Sequence, residues 1–266
     1  MLSNSTVTIS GKLRSDTVLR NTPFPSEIIN LGTITVTGNV ENFSDTVLFA
    51  NDSLGRVVLN GSGPQELLGD ELNFYDLELD NATGVTLQAD ISVNDTLLMS
   101  AGSIDLNGRI IEMVDSIGEG MLVNETETNR VFGSSGFIQT TRDGNDGGNL
   151  AGLGLRLDSS AIGRTTVRRG HAIQTGLGDG SIERYFVVEP TFSPIGVDTV
   201  EVSYFDAELA GIAESELDMY VSADSAVWRR QDAQNSPMSN FVFDSVEISS
   251  YEFVVTLAKS PCNVPP

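Results

Sequence analysis

Cysteine and histidine are almost absent from this chain: Cys262 and His171 are the single examples among 266 residues. A lone cysteine excludes an intrachain disulfide, and with it the small disulfide-stapled secreted folds. One residue of each type also excludes zinc sites built from histidine and cysteine. The sequence has no apolar run as long as a transmembrane helix, so we expect no membrane insertion.

Positive charge is also scarce. The chain has 15 Lys and Arg against 37 Asp and Glu, a net charge of −22. Binding to nucleic acid needs a basic surface that displaces counterions, so we expect no nucleic-acid partner. An acidic surface keeps a protein soluble and suits salty media, where repulsion is screened.

Helical periodicity is nearly missing. The best helical candidate, residues 206–216, is interrupted by Gly211 and predicts a loop or a single turn. The rest of the sequence consists of short β-branched runs bounded by Gly, Asn, Asp and Ser. Because 39% of residues are hydrophobic, a folded core is expected, and the class predicted is all-β.

Residues 1–118 contain runs of three to five apolar or β-branched residues, each followed by Gly or Asn. Such short strands suit either an antiparallel sandwich or a right-handed parallel β-helix. The Asn- and Gly-rich turns favour a short β-helix of about five coils, since coil corners need positive φ. The residues expected to face inward are Leu77, Leu79, Val85, Leu87, Ile91, Val93, Leu97, Ile104 and Leu106.

Residues 119–266 have a different pattern. After a connector, which we expect to supply the last coil, eight longer alternating strands follow, beginning near residues 137, 153, 165, 182, 199, 217, 241 and 252. This pattern predicts an immunoglobulin- or jelly-roll-like β-sandwich with a C-terminal linker.

Three segments resemble a known family in their order and spacing. Residues 63–69 (GPQELLG), 72–87 (LNFYDLELDNATGVTL) and 91–97 (ISVNDTL) are similar to a segment of large type 9-secreted surface proteins of Bacteroidetes, including adhesins. Residues 149–155 (NLAGLGL) and 180–190 (GSIERYFVVEP) resemble the sandwich module that follows it there. The resemblance spans roughly residues 50–258 and contains no catalytic motif.

The resemblance implies a repeat or stalk module at the cell surface or in an extracellular filament. It implies neighbouring modules of the same large protein as partners, with self-assembly, and glycans of a host or prey surface as ligands. Such proteins end in a secretion-sorting domain, and the sequence has none, so we expect an internal segment.

No residue is predicted to be catalytic. His171 follows a Val-Arg-Arg-Gly strand end, and no Gly-x-Ser-x-Gly motif accompanies it. We therefore expect a solvent-facing or hydrogen-bonded loop histidine, whose replacement by Ala leaves folding unchanged. With 37 acidic residues, carboxylate pairs arise by chance and do not indicate a glycosidase.

No cofactor is predicted, and calcium is the one ion that the residue types allow. Asp143, Asn145 and Asp146 place three oxygen-bearing side chains within four residues. The loop lacks the glutamate spacing of an EF-hand, and the interpretation that we favour is an ordinary Asx turn.

An Asp-Ser/Thr-apolar tripeptide recurs throughout the chain and is similar to the O-glycosylation motif of exported Bacteroidetes proteins. The candidate acceptors are Thr17, Thr46, Ser53, Thr96, Ser116, Thr199, Ser225 and Ser245. The alternative interpretation is that Asp-Thr-Val is how a turn leads into a strand. Asn-x-Ser/Thr sequons at Asn4, Asn42, Asn51, Asn60, Asn81, Asn94 and Asn124 are interpreted as turn residues.

These patterns together predict a non-catalytic structural or adhesive module of an extracellular cell-surface protein. The alternative is a carbohydrate-binding accessory module of a secreted polysaccharide-degrading enzyme. A row of exposed aromatic side chains on one sheet would favour that alternative, because sugars stack on aromatic rings.

Overall fold

The structure is a computed structural model that describes residues 2–16, 28–43, 47–49, 54–70, 72–115, 120–143, 148–158, 162–192, 197–246 and 252–260. Its regular elements are β-strands and a few short 3-10 turns, so the predicted all-β class is confirmed. The chain divides into two compact units, residues 1–138 and residues 139–266.

The first unit consists of parallel strands. They are β1 (Leu2–Ile9), β2 (Leu13–Asp16), β3 (Asn30–Val36), β4 (Val40–Phe43), β5 (Arg56–Leu59), β6 (Gln65–Gly69), β7 (Leu72–Asp80), β8 (Val85–Leu87), β9 (Ile91–Ala101), β10 (Ile104–Asp105), β11 (Ile110–Met113), β12 (Met121–Val123) and β13 (Val131–Phe132). One sheet has the order β1-β3-β5-β7-β9-β11, with β12 also on β9, and the other has the order β13-β10-β8-β6-β4-β2. Successive strands from β1 to β11 therefore alternate between two sheets.

The parallel pairing predicted for this part of the chain is confirmed. The predicted unit boundary at 118/119 lies within the first unit, because the connector continues the two sheets. Within it, β12 pairs in parallel with β9, and β13 pairs in parallel with β10. The connector therefore contributes strands to the stack, as the sequence analysis expected.

Inward-facing residues lie on top of one another from strand to strand. Val57 pairs with Leu77, and Leu77 pairs with Leu97. The three side chains are at most 1% exposed, so each layer covers the next. All nine residues predicted to face inward are buried.

The second unit consists mainly of antiparallel strands, and its first strand begins at Phe137, just before the boundary between the units. They are β14 (Phe137–Asp143), β15 (Leu155–Asp158), β16 (Arg164–His171), β17 (Ser181–Pro190), β18 (Val197–Ser203), β19 (Leu217–Ser222), β20 (Arg229–Arg230), β21 (Gln234–Ser236), β22 (Phe241–Val246) and β23 (Phe253–Lys259). The 3-10 turns are η1 (Leu150–Gly152), η2 (Asp206–Glu208), η3 (Glu214–Glu216) and η4 (Pro237–Ser239). The eight predicted strands are all present, whereas β20 and β21 were missed because their residues are charged or polar.

Two sheets form this unit, in the orders β14-β16-β17-β23-β19-β20 and β15-β18-β22-β21. The registered pairings within them are antiparallel. Both sheets bury alternating apolar side chains, such as Phe186 and Val188 on β17 and Val200 and Val202 on β18. Residues 206–216 contain the turns η2 and η3, in agreement with the expected absence of a longer helix.

Candidate functional site

The candidate glycosylation acceptors lie in different environments. Thr17, Thr46, Ser53 and Ser116 lie outside the described residues. Thr96 and Thr199 are half-buried within β9 and β18, whereas Ser225 and Ser245 are exposed. Only the last two hydroxyl groups therefore lie on an open surface among the described acceptors.

The copy of the motif at Asp224 is a tight turn. Its Oδ1 accepts hydrogen bonds from the backbone N–H groups of Ala226 and Val227, both at 2.9 Å. These bonds, together with one from the Ser222 hydroxyl, lower the pKa of Asp224. Ser225 has φ of 59° at the tip of the turn. The carboxylate thus has a turn-forming role, while the neighbouring hydroxyl stays accessible.

The calcium candidate falls mostly outside the described residues. Asp143 ends β14 and is exposed, while Asn145 and Asp146 are not among the described residues. Within the described ranges, no three His, Cys, Asp or Glu side chains are grouped as metal ligands. Calcium binding by this loop therefore stays a prediction from the sequence.

Asparagine side chains of the first unit bond across the stack. Asn42 donates to Asp70 O at 2.7 Å, Asn94 to Phe74 O at 3.0 Å, and Asn81 to Gly63 O at 2.9 Å. Asn42 is fully buried and Asn81 is 1% exposed. A glycan on either amide would remove these bonds and would not fit. Asn81 lies at a turn, as predicted, whereas Asn42 and Asn94 lie within β4 and β9, so the interpretation as turn residues is wrong for these two.

Gln65 and Asn81 form a buried amide pair at one corner of the stack. Asn81 Nδ2 donates to Gln65 Oε1 at 2.8 Å, and Asn81 Oδ1 accepts from the Thr83 backbone N–H at 2.9 Å. Gln65 also accepts from the Gly61 N–H and donates to Val36 O, at 2.8 Å and 3.1 Å. The pair satisfies backbone groups in three successive loops of the first unit, at Val36, Gly61 and Thr83, which an apolar side chain could not do.

The sequence analysis expected His171 to be a solvent-facing or hydrogen-bonded loop residue; the structure instead places it, buried, at the end of a strand. It ends β16 opposite Arg184 of β17, and its side chain is 2% exposed. Its Nδ1 lies 3.6 Å from Oε1 of Glu208, whose side chain is fully buried. The error arose because Val-Arg-Arg-Gly resembles a strand end, whereas antiparallel pairing with β17 extends β16 through His171.

Glu208 is held by several donors. Arg184 Nη2 donates to Glu208 Oε1 at 2.9 Å, and the Phe205 backbone N–H donates to Oε2 at 3.0 Å. The Arg184 guanidinium also lies 4.9 Å from the centre of the Phe205 ring and donates to Ser203 O at 3.1 Å. Gly154 leaves room for this guanidinium, because a Cβ there would lie 2.6 Å from Arg184 Nη1.

Burial and charge shift both titrating groups of this cluster. The pKa of His171 is lowered to about 4, chiefly by burial; the hydrogen bond with Glu208 opposes the shift, and the charges of Arg169 and Arg184 add to it. Burial alone would raise the pKa of Glu208, but Arg184 and then His171 and Arg169 hold it well below its usual range. At neutral pH the cluster therefore contains a carboxylate between two guanidinium groups and a neutral imidazole.

This buried cluster is isolated from solvent. The side chains of Arg184 and His171 are each 2% exposed and Arg169 is fully buried. Arg169 donates to Leu153 O at 2.9 Å. A substrate cannot reach these groups in this conformation, so their arrangement supports folding of the second unit.

An open cleft of about 400 Å³ lies elsewhere in the second unit. It is lined by Gly176, Leu177, Gly178, Asp179, Tyr220, Trp228, Lys259 and Ser260. The glycine-rich loop 176–180 forms one side, and the end of β23 and Trp228 form others. The sequence analysis did not single out this loop as a site, although a glycine-rich loop and the only tryptophan are both visible in the sequence.

Hydrogen bonds fix the aromatic side chains of the Trp228 cleft. The indole Nε1 of Trp228 donates to Thr175 O at 2.9 Å, across 53 residues of chain. The Tyr220 hydroxyl donates to Lys259 O at 3.1 Å. Leu177, Tyr220 and Ala258 form a buried cluster against which Trp228 packs. The rings are therefore positioned before any ligand arrives.

Both signs of charge lie at the rim of the Trp228 cleft. Asp179 is exposed, and Lys259 Nζ lies 3.3 Å from Glu216 Oε2. A second cleft, of about 350 Å³, lies on the first unit and includes Thr86, Asp105 and Phe132. There Asp105 accepts a hydrogen bond from the Asn107 N–H at 2.9 Å.

Asp76 and Asp95 form a carboxylate pair on adjacent strands, where the register of β7 and β9 shifts. Burial raises the pKa of Asp76, Arg56 lowers it, and Asp95 raises it again. Arg56 Nε lies 3.7 Å from Asp76 Oδ2. Asp95 belongs to the tripeptide that contains Thr96, so here a residue of the motif also interacts with the adjacent strand β7.

Comparison with known proteins yields no match to a protein-family model, to a curated protein or to a solved structure. Among the described residues, no helix has the length and apolar character needed to cross a membrane.

Proposed function

We propose that the chain is a non-catalytic structural and adhesive module of an extracellular cell-surface protein or filament. In this proposal the first unit is a short right-handed parallel β-helix, and the second is an immunoglobulin- or jelly-roll-like β-sandwich. The observation that carries it is the alternation of successive strands between two parallel sheets whose layers are joined by buried amide side chains.

The β-helix assignment is supported by the regular spacing of layers. Leu77 and Leu97 pair 20 residues apart in one sheet, and Leu67 and Leu87 pair 20 residues apart in the other. One coil therefore visits both sheets before it returns to the next layer. Such a stack resists deformation because each layer buries apolar area on the next.

The sandwich assignment is supported by two antiparallel sheets with alternating burial in the second unit. Buried Phe186 and Phe253 belong to one sheet, and buried Val202 and Val242 belong to the other. Two sheets that each bury one face are the minimum requirement for this architecture.

The absence of catalysis is proposed from the position of the perturbed groups. His171 and Glu208 have strongly shifted pKa values, but both are buried away from solvent. Perturbed groups of an active site normally line a cleft that a substrate enters. A structural ion cluster accounts for the shifts at these two residues.

An extracellular location is supported by composition. A net charge of −22 disfavours nucleic acid and suits a solvent of high ionic strength. The exposed hydroxyl groups of Ser225 and Ser245 suit O-glycosylation. The partners in this proposal are neighbouring modules of the same large protein, self-assembled copies, and surface glycans.

The alternative, an accessory module with a flat aromatic platform, lacks its specific support. Among the described residues the exposed large aromatic side chains are Phe43, Phe132 and Phe192. Phe43 and Phe132 belong to β4 and β13, which three other strands separate in the sheet, and Phe192 belongs to the second unit. These side chains do not form a row.

The proposal is tested in the cells that make the protein. An antibody against residues 1–266 should label intact, non-permeabilised cells. In-frame deletion of this segment should reduce attachment to a surface under flow without reducing growth. Labelling only after permeabilisation, or attachment equal to that of the parent strain, would contradict the proposal.

A further inference from the structure

We propose that the Trp228 cleft binds a neutral oligosaccharide, an inference that rests on the proposed adhesive function and identifies its ligand class. The cleft volume of about 400 Å³ lies within the range of small-molecule sites, roughly 300–1,000 Å³. It is large enough for a few sugar rings at the end of a surface glycan, and too small for a folded protein partner.

The apolar part of the cleft suits the face of a sugar ring. Trp228 is partly exposed and supplies most of the aromatic surface, while the neighbouring Tyr220 and Leu177 are only 8% and 9% exposed and leave a small part of their surface to the cleft. The C–H face of a pyranose packs on such rings as other apolar groups do. Because the bonds to Thr175 O and Lys259 O already hold the rings, little side-chain entropy is lost on binding.

The polar part of the cleft suits hydroxyl groups. A sugar hydroxyl both donates and accepts hydrogen bonds, so it needs both kinds of partner. The Asp179 carboxylate accepts, the Lys259 ammonium donates, and the Ser260 hydroxyl does both. At Gly178 the space that a Cβ would fill is open, so the loop backbone is approachable there.

Charge favours a neutral ligand over a sulfated or carboxylated one. The lining of the cleft contains one acidic residue, Asp179, and one basic residue, Lys259. The Lys259 ammonium lies 3.3 Å from the Glu216 carboxylate. The chain as a whole has a charge of −22, which repels polyanions at a distance. A neutral glycan meets no such repulsion.

Intrinsic fluorescence provides the binding test, because Trp228 is the only tryptophan in the chain. The full chain is titrated with cellohexaose, maltohexaose, xylohexaose, mannohexaose and chitohexaose, each to about 10 mM, where weak single-site affinities are measurable. We expect a saturable change in Trp228 emission with at least one of them. A folded chain that responds to none of the five, or only to an apolar dye, overturns the inference.

Variants locate the site. Asp179→Asn keeps the fluorophore and should weaken binding about tenfold, the effect of losing one good hydrogen bond. Trp228→Ala, followed by calorimetry after a melting curve has verified its fold, should abolish binding. Phe192→Ala removes an exposed aromatic outside the cleft and serves as the matched control. Equal binding by wild type and both cleft variants overturns the assignment to this cleft.

Attachment assays separate the two proposals. If deletion of the segment abolishes attachment but the Trp228→Ala strain attaches normally, the glycan site is wrong and the adhesive function stands. If deletion has no effect, the adhesive function is wrong, whatever the fluorescence shows. Loss of attachment in both strains supports both proposals.

Discussion

The imidazole of His171 lies with Nδ1 3.6 Å from Oε1 of Glu208, in a part of the second unit that solvent does not reach. Arg184 completes the contact by donating to the same oxygen at 2.9 Å. This arrangement joins the β16–β17 pair to the turn η2, and it makes the second unit sensitive to the protonation of one side chain.

Acidification should destabilise the second unit through His171. The pKa of His171 is lowered by burial from 6.5 to about 4, so between these values the unfolded chain binds a proton that the folded chain does not. Stability is then full above about pH 6.5 and falls by about 3 kcal/mol as the pH approaches 4. The single imidazole can be followed by NMR, and a midpoint at or above 6.5 would contradict this expectation.

Glu208→Gln should lower the free energy of unfolding by about 3–5 kcal/mol, because it leaves the Arg184 guanidinium buried without its counter-charge. Glu216→Gln is the matched control, since its partner Lys259 is a third exposed, and the change should stay within about 1 kcal/mol. Urea unfolding of both variants is the measurement. Similar losses of unfolding free energy in the two variants would show that burial does not make the Arg184–Glu208 ion pair stronger than the Lys259–Glu216 pair.

Asn81→Ala should cost about 2–3 kcal/mol, because it removes bonds to Gly63 O and Gln65 Oε1 inside the stack. Asn60→Ala tests the same chemistry at an exposed corner, where Asn60 donates to Asp80 O at 3.2 Å. Its loss should be about 1 kcal/mol or less, since water replaces an exposed bond. Thermal unfolding of the two variants is the measurement. Equal losses of stability would show that the buried amide stabilises the first unit no more than the exposed one does.

Asp95→Asn should stabilise the first unit at neutral pH and lower the pKa of Asp76. Burial raises that pKa, and the neighbouring Asp95 carboxylate adds to the shift. A gain of about 0.5–1 kcal/mol at pH 7 is expected from the removal of this repulsion. The gain should disappear at a pH low enough to protonate Asp76. A destabilised variant at pH 7 would show that Asp95 has a bonding role that outweighs its charge.

His171 shows where local patterns fail. Its neighbours in sequence predict the end of a strand, and a histidine after Gly170 is compatible with an exposed loop. Its burial depends on Glu208 and Arg184, which the antiparallel sheet and the turn η2 bring to it. The expectation that His171→Ala leaves folding unchanged is therefore replaced by a cost of about 1–3 kcal/mol, from lost packing and a counter-charge left with fewer neighbours.

Two short strands of the first unit are hard to recognise in the sequence for a related reason. β4 (Val40–Phe43) and β6 (Gln65–Gly69) contain Glu, Asn and Gln, which have low strand propensity. The parallel neighbours on either side supply the hydrogen bonds that make them strands. β4 and β6 are therefore strands because of their neighbours in the sheet, and not because of the strand propensity of their own residues.

The amino-acid sequence predicted the all-β class and the nine inward-facing residues, and its Asn- and Gly-rich turns favoured parallel strands in the first part. Side-chain alternation in a strand has a period of two residues, so a short window is enough to reveal it. The folded structure was needed to show which polar side chains meet: Gln65 with Asn81, His171 with Glu208, and Trp228 with Thr175 across 53 residues. These contacts depend on strand register and on the order of strands in the sheets. Isolated polar residues have no periodic pattern in the sequence from which their partners could be predicted.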